Sequence, residues 1–211
     1  MTYHVQCVKL FFMTTNLRRQ PEQGRSRERV NGILAAARDL LAEEGTGRFT
    51  MSALAKRAGV TLPSIYRYFP DKTAIVRALA ERSALRSTAT TVEALERRSA
   101  GAPLSEVALA GYRAYFDSVR NDPVERYLTA AVLADPALEH LELEMTRSAA
   151  KLMAPLLEAQ VQKDDPFDVE DLALLMTHLS GAAARLSNRV GEDEGRRVEE
   201  AFIAVVLRSM R

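Results

Sequence analysis

The sequence predicts an all-α fold: a small N-terminal domain of three helices followed by a larger helical domain, about nine helices in all. Three observations carry this. Apolar residues recur at helical spacing along most of the chain. The runs open at capping residues or prolines and stop at glycines or at Asp-Pro and Asn-Asp-Pro steps. No run alternates with the period of a strand, and no internal repeat is present.

The first helix is expected from about Arg27 to Glu44, with Val30, Ile33, Leu34, Ala37 and Leu41 inward and Gly45 ending it. Thr50 is placed to cap the second, since its hydroxyl can take a free N–H of the first turn. Met51, Leu54, Ala55 and Ala58 form its apolar face, and Gly59 follows where a left-handed residue ends a helix. Val60 is a buried contact in the turn. Thr61 is expected to cap a third helix reaching Phe69, with Pro63 near its start, where a missing N–H is tolerated. Ile65 and Phe69 face inward there, leaving Ser64, Tyr66, Arg67 and Tyr68 mostly outward. Two short helices joined by a glycine turn form a helix-turn-helix, whose second helix lies in the major groove of DNA.

Later punctuation sets the remaining helices. Asp71 caps one running toward Arg98, and Gly101 with Pro103 breaks the chain. Leu104 to Arg120 follows, then a helix opened by Asn121-Asp122-Pro123 through Leu133. Asp135-Pro136 opens a long helix through Gln160, and Asp164-Asp165-Pro166 reads as a linker. Two helices remain, roughly Asp168 to Arg189 and Glu192 to Met210, with Gly191 between them.

Residues Ile33 to Ala80 resemble the DNA-binding domain of the TetR family of repressors. The resemblance rests on the helix ILAAARDLLAEEG, the pair Phe49-Thr50, the turn Ala58 to Val60, and YRYFPDK at Tyr66 to Lys72. Two aromatics spaced by two residues and a lysine three further on are here Tyr66, Phe69 and Lys72. Pro63 departs from the pattern, where glycine is more usual, yet fits the first turn of a helix. The match covers about a quarter of the chain; the remainder agrees in length and helical character. A helical pair inside an unrelated bundle would not need Tyr66, Tyr68 and Lys72 exposed together.

Composition agrees. Net charge is +1, but Arg18 to Arg86 holds 14 Lys/Arg against 7 Asp/Glu, a net of +7, and Ser87 to Arg211 holds 14 against 21, a net of −7. A basic segment ahead of an acidic one suits contact with a polyanion through the first alone. No apolar stretch is long enough to span a bilayer, so no membrane partner is expected. The one cysteine, Cys7, excludes an internal disulfide and suits a cytoplasmic protein. His4, His140 and His178 stand apart, no His/Cys cluster has metal-ligand spacing, and no Gly-rich loop resembles a phosphate cradle. An enzyme is therefore not expected, nor a cofactor or metal.

The expected domains are an N-terminal arm over 1–24, a helix-turn-helix domain over 25–73, and an effector-binding and dimerisation domain over 74–211. Met13 opens a lead-in typical of the family, so residues 1–12 read as an upstream-start artefact or tag. Arg18 to Arg29 then forms a basic arm, disordered until it meets phosphate or the minor groove. The expected DNA contacts are Arg25 and Arg27 near the arm, Thr50 and Ser52 on the first helix of the motif, Thr61, Leu62, Pro63, Ser64, Tyr66, Arg67 and Tyr68, and Lys72 beyond them.

The last two helices are apolar on two sides. Leu172, Leu175, Met176, Leu179, Ala183 and Leu186 mark one face of the penultimate helix; Ala173, Leu174, Thr177, Ser180, Gly181 and Ala184 mark the other. The small-residue side permits close helix approach. The resemblance implies that two such helices pair with their copies into a four-helix bundle, with Leu179, Ala183, Ala184, Phe202 and Val206 as candidate contacts. The middle helices are where a sensor pocket is implied, drawn from Tyr112, Tyr115, Phe116, Tyr127, Met145, Met153 and Met176, with Arg113 and His178 as polar groups. Each aromatic or Met taken singly reads more readily as ordinary core.

The implied protein is a homodimeric, ligand-responsive repressor on a palindromic double-stranded operator, answering to an unidentified small, mostly apolar effector. Its competitor is a DNA-binding regulator without effector, acting through a protein partner; a solid C-terminal core favours that reading.

Overall fold

A computed structural model describes residues 24–45, 48–98, 101–138, 140–158 and 165–209. The expected start at Met13, most of the arm and the Asp164 linker step lie outside them. Among the described residues the chain forms nine α-helices and one 3₁₀ turn, with no strand. They are α1 (Gly24–Glu44), α2 (Met51–Ala58), α3 (Leu62–Tyr66), α4 (Lys72–Arg98), α5 (Leu104–Arg120), α6 (Glu125–Ala134), the turn Pro136–Leu138, α7 (Leu141–Leu157), α8 (Val169–Ser187) and α9 (Glu192–Ser209). The all-α expectation holds.

Several boundaries move. Helix α1 begins at Gly24, so Arg27 and Arg29 are helical rather than part of an arm. Helix α3 closes at Tyr66 instead of Phe69, and the Tyr68 N–H turns back three residues to the Ile65 carbonyl, a tighter turn than the four of an α-helix. The long helix expected from Asp135 is interrupted. Asp135 accepts from the Ala137 N–H at 2.9 Å and from the Thr73 hydroxyl at 2.6 Å, and only a 3₁₀ turn follows before α7 starts.

Two compact units result, with α4 contributing to each. The N-terminal unit runs to Ser83 and also takes in Pro123–Leu141. Its core joins Ile33, Leu34, Ala37 and Leu41 of α1 to Leu54, Ile65, Phe69 and Ile75, with Val124 and Leu128 from around α6. Tyr127, expected near an effector, packs on this same core instead. Ser83 donates to Glu125 at 2.5 Å, a second polar tie between α4 and α6.

The C-terminal unit comprises Ala84–Asp122 and the chain from Glu142 onward. Phe116, Val119, Ala184 and Ile203 bring α5, α8 and α9 together, and Phe202 stands edge-on to Tyr112 and Phe116 at ring separations of 5.1 and 5.8 Å. Helix α9 crosses α8 closely: a Cβ on Gly195 would lie 2.6 Å from the Ser187 carbonyl oxygen, so only glycine fits. Buried Glu199 closes the junction, accepting from the Ser187 hydroxyl and pairing with Arg120 of α5. A buried carboxylate is tolerated because both of its oxygens are engaged.

Candidate nucleic-acid interface

Local chemistry builds the motif. Thr50 caps α2, accepting from the Ala53 N–H at 3.1 Å. Gly59 ends α2 at φ 62°, a left-handed position that side chains resist. The Val60 N–H then returns to the Ala55 carbonyl at 3.1 Å and aims the chain into α3. Arg57 of α2 grips Glu43 of α1 through both guanidinium nitrogens, at 2.8 and 2.5 Å, and fixes α2 on its support. Hydrogen bonding from Arg57 lowers the Glu43 pKa.

Helix α3 hides Ile65 in the core and leaves Thr61, Pro63, Tyr66 and Arg67 exposed, with Leu62 and Ser64 partly so. Thr61 does not cap the backbone as expected. Its hydroxyl meets that of Ser64 at 2.8 Å, where either group can donate. Such a pair offers a base edge a hydroxyl as donor or acceptor. Lys72 lies at the start of α4 with its ammonium 5.3 Å from the Phe49 ring centre, held outward by the buried aromatic beneath it. Asp71 caps α4 by accepting from the Ala74 N–H at 2.8 Å.

Tyr68 corrects the outward reading. It is 6% exposed, and its hydroxyl accepts from Ser26 of α1 at 3.2 Å. Because α3 ends early, Tyr68 turns inward and Arg67 stacks over its ring at 5.8 Å. Thr50, Ser52 and Arg27 are exposed, whereas the Arg25 side chain lies outside what is described. Sequence reasoning passed over Arg48 and Lys56. Both are exposed; Lys56 stands one turn after Ser52 on α2 and Arg48 just ahead of the Thr50 cap. The signal was available, since i and i+4 share a helix face.

The C-terminal residues separate differently. Phe116 is buried and Tyr112 partly so, with burial pushing the Tyr112 hydroxyl up to about 12. Met145 and Met176 are half-buried, but Arg113 and His178 are exposed and do not join this aromatic group. The two faces of α8 differ in burial, and Ala184, an expected interface residue, lies inside the subunit. The small residues Ala173, Ser180 and Ala184 are buried inside the subunit, while Leu175, Leu179 and Leu186 stand 54%, 42% and 49% exposed. Val206 is buried and Phe202 belongs to the aromatic group, whereas Val205 of α9 is a large apolar residue that stands 65% exposed. Small residues suit the tight α8–α9 crossing.

A two-helix reader on a helical body defines a DNA-binding regulator. Two family descriptions match the chain: "Bacterial regulatory proteins, tetR family" over residues 33–79, and "Tetracyclin repressor-like, C-terminal domain" over residues 113–210. The chain belongs to the TetR family of bacterial regulatory proteins, which are DNA-binding regulators and not enzymes. It is 34% identical over 108 residues to the nucleoid occlusion factor SlmA of Actinobacillus pleuropneumoniae, a match covering 51% of this chain and 52% of that protein. The chain thus spans about half the length of the curated relatives it matches. Its fold is similar to a TetR-family transcriptional regulator of Pectobacterium atrosepticum, at TM-score 0.65 and 24% identity over 89% of this chain and 94% of that one. It is also similar to Thermus thermophilus FadR, a TetR-family repressor solved with lauroyl-CoA, at TM-score 0.63 and 20% identity over 85% and 92%. Among the described residues no helix is long and apolar enough to cross a membrane.

Proposed function

We propose that the chain is a ligand-responsive, homodimeric transcriptional repressor that binds a palindromic operator. The observation that carries this is the exposed group formed by Thr61, Ser64, Tyr66, Arg67 and Lys72 on a rigidly supported helix-turn-helix. Thr61, Leu62, Ser64 and Arg67 address base edges, with Pro63 beside them. Tyr66, Lys72, Arg27, Thr50 and Ser52 hold phosphates, joined by Arg48 and Lys56. Phosphate contacts set register, whereas base contacts choose the sequence.

The dimer forms through the leucine face of α8 and Val205 of α9. Leu175, Leu179, Leu186 and Val205 are apolar residues of one unit standing in water, which a second copy would cover. Two-fold symmetry then pairs two recognition helices with two half-sites. A mostly apolar effector in the C-terminal unit favours the state that does not fit DNA and shifts the population toward it. Helix α4, shared by both units, carries the change. FadR was solved with lauroyl-CoA, whose acyl chain is apolar and whose CoA head is charged, which supports a small-molecule ligand with an apolar part in this fold. A second reading, a DNA-binding regulator without an effector and acting through a protein partner, is favoured by the likeness to nucleoid occlusion factors.

The test is a fluorescence-polarisation titration of the selected operator with wild type and Leu179→Arg. An intact wild-type dimer that releases DNA with an apolar compound, and a folded Leu179→Arg monomer that does not bind, supports the reading. Dimers unaffected by arginine at both Leu175 and Leu179 would place the interface elsewhere, and release by no compound would favour the second reading.

A further inference from the structure

Helix α3 offers DNA a narrow chemistry. From Thr61 to Arg67 the chain reads TLPSIYR, in which Arg67 is the one charged side chain and no Asn, Gln, Asp, Glu or His is present. In the major groove adenine is read bidentately by Asn or Gln, and cytosine gives its amino hydrogens to Asp or Glu. Guanine presents its O6 and N7 acceptors to Arg or Lys. Hydroxyls such as those of Thr61 and Ser64 suit several bases, and apolar side chains suit the thymine methyl. Of the strong bidentate pairings, this segment therefore carries the guanine one alone.

Geometry puts Arg67 on the reading face. Its N–H bonds to the Pro63 carbonyl at 3.1 Å and its own backbone is helical, so the helical path runs through it. Residues three and four apart are neighbours on a helix surface, which sets Arg67 beside Ser64 and Pro63. Ser64 in turn meets Thr61 at 2.8 Å, while Ile65 is turned into the core. The guanidinium lies 5.8 Å from the centre of the Tyr68 ring, within cation–π range. That ring is fixed: Tyr68 is 6% exposed, belongs to the core, and accepts from Ser26 of α1.

Arg57 and Arg82 of the same unit are tied to Glu43 and Asn31, at 2.5 and 2.7 Å. Arg67 is exposed, and among the described residues its guanidinium makes no hydrogen bond or ion pair. Its five N–H donors stay open to a partner, and the ring restrains the side chain before that partner arrives. We infer that Arg67 reads a guanine in each operator half-site, with Tyr68 as the positioning residue that holds the guanidinium for a two-pronged contact to O6 and N7. The inference rests on the reading of α3 as the base-reading helix and names the base. An arginine on phosphate instead would carry no base preference.

In the experiment, the full-length protein first selects its operator from a random DNA pool. Each symmetric pair of guanines is then replaced in turn by 7-deazaguanine, which lacks the N7 acceptor, and affinity is read by fluorescence polarisation. At one pair the replacement should weaken wild-type binding about tenfold or more and leave binding by Arg67→Ala unchanged. Selection with Arg67→Ala should lose guanine at that position and keep the others. Tyr68→Phe retains the ring and should retain the guanine preference. Tyr68→Leu, checked for fold by circular dichroism, should reduce it; a preference untouched by Tyr68→Leu would overturn the role given to Tyr68. An operator whose guanines are preferred as strongly by Arg67→Ala as by wild type, or an equal loss of Arg67→Ala affinity for every sequence, would overturn the inference and place Arg67 on phosphate. Selection that enriches no sequence would refute the base-reading role of α3, and this inference with it.

Discussion

At the scale of single residues, the interface is governed by what holds each side chain outward. Lys72 is aimed by the Phe49 ring, so Lys72→Ala should weaken binding to all DNA sequences and reduce the salt slope by about one. Salt-dependent polarisation measures it, and Arg48→Ala and Lys56→Ala should act in the same direction. Thr61 and Ser64 share one hydroxyl contact, so changes there should alter operator choice, by about 1–3 kcal/mol per lost bidentate base contact. Tyr112 offers a pH signature. Its folded pKa is raised from 10.0 to about 12 by burial, so the folded state favours the neutral phenol. That stabilisation is complete below pH 10.0 and is lost as pH rises toward about 12. Denaturation midpoints across this range should fall, and Tyr112→Phe should flatten the fall; equal slopes would refute the assignment.

At the scale of elements, caps and turns were the most legible features, because their chemistry is local. Thr50, Gly59, Asp71 and Asp168 all act at the ends where the sequence placed them. The C-terminus of α3 and the start of α7 were not legible. Beside both lie contacts distant in sequence, the Ser26 bond to Tyr68 and the Thr73 bond to Asp135, which local pattern cannot show. On α8 the hydrophobic period identifies two apolar sides without saying which meets the subunit's own core, so the burial of Ala184 was not legible. Thr50→Ala should lower stability by about 1 kcal/mol through loss of the α2 cap, measured by chemical denaturation. Helix α4 carries a different signal, the run Ser87, Thr90 and Thr91, whose hydroxyls bond back to the carbonyls of Ala84, Arg86 and Ser87. Such bonds loosen and bend helices. Amide exchange should be faster over residues 84–95 than over 72–82, and alanine at all three positions should slow it. Uniform exchange along α4 would remove this softness from the account.

At the scale of the whole molecule, the family was legible from one short motif and the all-α architecture from helical spacing and punctuation along the chain, while the proposed effector region was not. Aromatic and Met residues at helical spacing serve a core or a ligand equally well, and only the fold moved Tyr127 to the N-terminal unit and Arg113 and His178 to the surface. Assembly can be tested without knowing any ligand. Arginine at Ala184 would disrupt a residue buried in the subunit's own core, whereas arginine at Leu175 or Leu179 stands about half in water and acts mainly on what covers that face. The most direct test of a dimeric, sequence-reading regulator is selection of bound DNA from a random pool by the full-length protein. The account predicts one enriched, two-fold symmetric sequence whose half-sites lie about one helical turn apart, or a multiple of it. No enrichment, or a single asymmetric site, would contradict it.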